Sequence, residues 1–95
     1  MAAPGTPITG GASNNAPLGY QQITPSAATG FTIPKGATVA VVVADTASIR
    51  WRDDGTNPTT AIGMSLPVGT YLAFTANLSA VKFISATGVL NVSYY

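Results

Sequence analysis

The run Thr38-Val39-Ala40-Val41-Val42-Val43-Ala44 is followed, after only Asp45-Thr46-Ala47, by Ser48-Ile49-Arg50-Trp51-Arg52-Asp53-Asp54-Gly55. The first run is unbroken valine, threonine and alanine, the pattern of a strand covered on both faces. The second alternates. Ile49 and Trp51 point one way and Ser48, Arg50 and Arg52 the other, because successive strand side chains face opposite sides. Asp53-Asp54-Gly55 then supplies turn chemistry, since Asp tolerates turn conformations and Gly accepts a positive φ. A strand, a short link, a second strand and a turn define a β architecture.

Short extended segments continue on both sides. Tyr20–Thr24 and Gly30–Ile33 precede the central pair, separated by a turn segment at Pro25–Gly30. Ile62–Leu66, Thr70–Thr75, Ala80–Ser85 and Val89–Tyr94 follow it, after a polar loop around Asn57-Pro58. Helical spacing of apolar residues is everywhere interrupted by Gly, Pro or β-branched clusters. Short strands at near-regular spacing with turn signals between them predict an all-β fold, a small antiparallel sandwich or barrel of about seven or eight strands. The first eighteen residues differ from the rest. They hold Pro4, Pro7, Pro17, Gly5, Gly10 and Gly11 and no charged side chain. Residues 1–18 are therefore expected to form an extended arm, and residues 19–95 the β domain.

An internal repeat runs through the domain. Ile33-Pro34-Lys35-Gly36-Ala37-Thr38-Val39-Ala40-Val41 resembles Leu66-Pro67-Val68-Gly69-Thr70-Tyr71-Leu72-Ala73-Phe74, and Ser48-Ile49-Arg50-Trp51 resembles Ala80-Val81-Lys82-Phe83. The offset falls by one residue between the two matches, as a single deletion requires. Each unit consists of a Pro-x-Gly turn, a buried strand, a link and a strand ending in a basic and an aromatic residue. Two such units are expected to pack face to face about a pseudo-twofold axis.

Composition narrows the function. Ninety-five residues make one domain. Only 7% of them are charged, there is no Glu, and the net charge is +1. A nucleic-acid binder needs clustered Lys and Arg to displace counterions, so nucleic acid is not an expected partner. The chain has no Cys and no His. Without them, and without Glu, the usual nucleophile–base pairs and zinc sets cannot be assembled, and an enzyme is not expected. No catalytic residue, cofactor or metal is expected. Asp53, Asp54 and Asn57 do not have the spacing of a calcium-binding EF-hand loop. No apolar run of ~18 residues is present, and the N-terminus has no basic region followed by an apolar one, so neither a membrane span nor secretion is expected. Two Asn-x-Ser sequons, at Asn77 and Asn91, are taken as incidental on the same ground.

The remaining candidates are contact surfaces. Arg50, Trp51, Arg52, Asp53 and Asp54 concentrate charge in a chain that has almost none. Strand geometry sets the two guanidinium groups ~6.5–7 Å apart on one face, with Trp51 on the other. Local ion pairing at a hairpin tip is one reading. An inter-subunit contact using the rigid fork of Arg is the favoured one. Tyr94 and Tyr95 end the last strand, either capping the core or lying in an interface, where tyrosine is enriched.

The segment Ile49-Arg50-Trp51-Arg52-Asp53-Asp54-Gly55-Thr56 also resembles a family of small virion proteins of tailed bacteriophages. So do Pro58-Thr59, Gly63-Met64, Leu66, Gly69, Leu78-Ser79-Ala80, Phe83-Ile84 and the terminal Leu90-Asn91-Val92-Ser93-Tyr94-Tyr95. The resemblance spans about Val39 to Tyr95. It implies a capsid decoration (cement) protein, made in the host cytoplasm and carried on the virion. Such a protein would bind the major capsid protein on the head exterior, as a homotrimer. The alternatives are a tail- or fibre-associated β domain and a carbohydrate-binding module; the latter needs Trp51, Tyr71 and Tyr95 as exposed aromatic platforms, whereas their alternation with polar residues predicts that they are buried.

Overall fold

The computed structural model describes residues 16–95. The expectation for residues 1–15 of the arm lies outside the described residues. Eight strands follow in chain order: β1 (Gly19–Ile23), β2 (Thr29–Gly30), β3 (Ala40–Asp45), β4 (Ile49–Arg52), β5 (Met64–Leu66), β6 (Tyr71–Phe74), β7 (Lys82–Ile84) and β8 (Val89–Tyr94). A 3-10 turn, Leu78–Ala80, leads into β7. The strands form two four-stranded antiparallel sheets, ordered β1-β8-β3-β6 and β2-β7-β4-β5. The fold is an all-β sandwich, as the sequence predicts.

The valine-rich run is covered differently from the expectation. Along β3, Ala40, Val42 and Ala44 are buried while Val41 and Val43 are only half-buried. The inner face meets the second sheet, and the outer face has no layer over it among the described residues. A run of valines suits both environments, because β-branched residues pack well on any pleated surface. The run alone therefore does not distinguish one covered face from two.

The repeat is present, but the units interlock side by side instead of packing face to face. The chain crosses from one sheet to the other immediately after β3 and again after β6. Each unit thus places one strand in each sheet, β3 beside β6 and β4 beside β7. Val41 lies opposite Ala73, and Trp51 lies opposite Phe83. In both pairs the partners are 32 residues apart, so one offset relates both layers and the pseudo-twofold axis passes through both ladders. The turns Pro34–Ala37 and Pro67–Thr70 match as well. Ala37 N–H donates to Pro34 C=O at 3.0 Å, and Thr70 N–H donates to Pro67 C=O at 3.1 Å. Gly36 and Gly69 occupy the left-handed region at φ 84° and 79°, the third position of a type II turn, where a side chain is disfavoured. These turns are 33 residues apart, so the deleted residue falls between turn and strand, not between the two strands.

The core is more aromatic than composition suggests. Phe31, Phe74, Phe83, Tyr94 and Trp51 form one edge-to-face cluster with ring centroids 5.0–5.8 Å apart. Ala40 makes room for it. It sits between Phe74 and Tyr94 on neighbouring strands, and its methyl leaves space for the Phe31 ring that touches both. Fully burying a ring such as that of Phe83 contributes ~1.5–3 kcal/mol, and the half-buried Phe31 and Trp51 contribute less. The Tyr94 hydroxyl donates to the Gln21 side-chain oxygen, which also accepts the Thr32 N–H at 3.1 Å. The polar tip of a buried ring is thereby satisfied.

Candidate functional site

The charged hairpin follows β4. Ile49 is buried, and Trp51 turns inward to meet Phe74 at 5.0 Å. Arg50 and Arg52 lie on the outer face of their sheet, opposite Ile84 and Lys82 respectively. The face assignment made from alternation holds.

Arg50 is occupied locally. Its Nε donates to Thr60 C=O at 3.1 Å and its Nη1 to Gly63 C=O at 2.9 Å. The fork spans the two ends of the loop's tip and clamps it onto the sheet, where Pro58 is buried. Inside the loop, Thr59 and Ile62 exchange backbone hydrogen bonds at 2.9 and 3.2 Å. Arg52 pairs with Asp54, which also accepts the Thr56 N–H at 3.1 Å. These bonds hold the Asp54 carboxyl below its ordinary range, chiefly through Arg52 and then through Thr56. The same bond raises Arg52. Asp53 is exposed at the tip. The cluster thus builds its own hairpin first. It leaves Asp53, together with exposed Ile62 and Met64, as the groups a neighbour would meet.

The two tyrosines separate. Tyr94 is 1% exposed and caps the core, the first of the two roles the sequence left open, and burial pushes its phenol up. Tyr95 is half-buried, and its backbone exchanges hydrogen bonds with Val39 at 2.9 and 3.1 Å. Trp51, facing inward, offers no aromatic platform for sugar stacking, whereas Tyr71 is 68% exposed.

A second surface had no motif to announce it. The outer face of the β1-β8-β3-β6 sheet carries Tyr20, Gln22, Asn91, Ser93, Val41, Val43, Tyr71 and Ala73, with Asp45 at one end. Apart from that aspartate it has no charge. Asn91 accepts from Tyr20 Oη at 2.6 Å and from Gln22 Nε2 at 3.0 Å, tying the β1 half of the face together. The cations Arg50, Arg52 and Lys82 lie on the opposite sheet. Only the strand order reveals this division, because the contributing residues are scattered between positions 20 and 93. A shallow groove of about 350 Å³ lies at one end of β6, lined by Ile33, Thr38, Thr75, Asn77 and Leu78 among others, and it contains no ionisable side chain.

Compared with protein-family models, curated proteins and solved structures, the chain matches none.

Proposed function

We propose that this protein is a bacteriophage virion structural protein, a capsid decoration protein that binds the head exterior and reinforces contacts between subunits of the major capsid protein. The observation that carries this reading is the outer face of the β1-β8-β3-β6 sheet, a surface with exposed Tyr20 and Tyr71 and no charge but Asp45 at one end. Such a surface incurs little desolvation cost when covered by another protein, and tyrosine is favoured in such contacts. The resemblance of the Ile49–Thr56 and Leu90–Tyr95 segments to small phage virion proteins supports the same reading, as does the charge-poor composition. A homotrimer seated where capsid subunits meet is the proposed form.

The test is binding of the purified chain to expanded heads of its phage, with Ser93→Lys as the variant. Ser93 lies at the centre of the uncharged face, opposite Val41 and Tyr20. The expected result is saturable binding by the wild type and loss of binding by the variant, with unchanged melting. Wild-type protein that leaves heads bare, or labelled protein confined to one vertex in electron micrographs, overturns the reading. The second outcome would favour a tail location.

A further inference from the structure

Sheet edges carry unpaired backbone groups, and stable β proteins blunt them with charge, proline, bulges or very short strands. Among the described residues, β2 has two residues and β5 three, so both edges are short. The β1 edge adjoins the point where residues 1–15 join the domain. The β6 edge differs from all three. It is four residues long and antiparallel, and Val68 to Asn77 contain no charged residue or proline.

The internal repeat shows what such an edge accepts. Val39 and Tyr95 exchange both backbone bonds, which makes them a hydrogen-bonded pair. Alternation then directs the backbone groups of Val41 and Val43 to β8 and those of Ala40 and Val42 to β6. On β6 the bonds to β3 fall on Leu72 and Phe74. The N–H and C=O of Tyr71, Ala73 and Thr75 therefore point away from the sheet. The 32-residue offset maps Val39, Val41 and Val43 onto Tyr71, Ala73 and Thr75. In the first unit these positions bind β8; in the second, no described strand meets them.

The geometry points to a second copy of this chain as the missing partner, its β6 pairing antiparallel with this one about a twofold axis at Ala73. That register sets Ala73 opposite its own copy and Tyr71 opposite Thr75, an aromatic against a β-branched residue, which is a favourable cross-strand pair. A charged edge would place like charges together in a self-pairing of this kind. This one carries none. The product is a continuous eight-stranded sheet whose outer faces align. The contact is isologous and rests on the edge geometry alone, so it stands or falls separately from head binding and would join one proposed trimer to the next.

Ala73→Cys tests it directly, because the chain has no other cysteine. A hydrogen-bonded pair sets Cα atoms ~5.5 Å apart, within the ~4.4–6.8 Å that a disulfide spans. Mild oxidation is expected to give a two-chain band on a non-reducing gel, with Thr87→Cys, on an exposed turn, remaining single. In the wild type, the amides of Tyr71, Ala73 and Thr75 are expected to exchange more slowly as concentration rises. Ala73→Pro, which removes an outward N–H and no internal bond, is expected to abolish that protection without lowering the melting temperature. Absence of the two-chain band, or exchange at these amides that is fast at every concentration, overturns the proposal. So does protection that is independent of concentration, because the occupant would then be a segment of the same chain.

Discussion

The Arg50 clamp gives the most direct test of how the charged segment works. Arg50→Lys keeps the charge and most of the apolar stem but replaces a planar fork with a single ammonium. The fork reaches Thr60 C=O and Gly63 C=O from two different nitrogens, a geometry that one ammonium cannot reproduce for carbonyls on separate residues. A hydrogen bond to a charged donor contributes ~1.5–3 kcal/mol when shielded. One of these bonds is part-buried and the other exposed, so the low end applies to the first and little to the second. The expected loss is about 1–2 kcal/mol. Urea unfolding can be followed by the fluorescence of Trp51, the single tryptophan, which packs on Phe74. With a slope of ~1 kcal/mol/M for a chain this small, the midpoint should fall by about 1–2 M. Hydrogen exchange supplies an independent readout. The Ile62 amide, bonded within the clamped loop, should exchange faster in the variant even at low urea. Arg52→Lys serves as the control for the loop: its two-pronged pairing with Asp54, from Nε and Nη2, is exposed and does not reach Thr60 or Gly63, so Ile62 exchange should be unchanged. An unchanged midpoint for Arg50→Lys together with unchanged Ile62 exchange would refute the clamp and return Arg50 to the role of a free contact residue.

Further outcomes follow from the core, the turns and the ionisable groups. Ala40→Leu should destabilise by ~1–3 kcal/mol through overpacking, because the added carbons enter the space filled by Phe31 between Phe74 and Tyr94; thermal melting measures it. Thr46 holds φ 74°, unusual for a β-branched residue. Thr46→Gly should therefore raise stability by about 1 kcal/mol despite the added chain entropy, and a lower melting temperature would show that the turn is not strained. With no His or Glu, stability should be nearly level between about pH 5 and 9. At acid pH the contribution of Asp54 should be lost: its folded pKa is lowered, so that contribution is present above the ordinary carboxylate range and lost as pH falls through the depressed value. At alkaline pH the raised phenol of Tyr94 acts in the other sense. Its contribution is complete below ~10 and lost as pH rises through the folded value, and Tyr94→Phe should flatten that limb of a melting-temperature profile.

The sequence by itself determined the class of fold and most of its strands. Alternation along Ser48–Arg52 assigned Trp51 and the two arginines to opposite faces correctly, because strand periodicity is a local property of the backbone. Turn residues located the breaks for the same reason: Gly36 and Gly69 occupy left-handed positions that glycine adopts without a steric penalty. Repeat similarity identified the two units. It could not determine whether they stack or interlock, since that depends on which sheet each strand joins after the short links. Only the tertiary structure decided that β3 pairs with β6, that β8 inserts on the other side of β3, and that β6 is left as an edge. Only the tertiary structure turned the tip of the 53–63 loop back under the Arg50 fork and placed Tyr94 in the core while Tyr95 stayed half-buried. The uncharged face is the clearest case. Its residues are dispersed through the chain, and strand order alone gathers them on one surface while Arg50, Arg52 and Lys82 collect on the other.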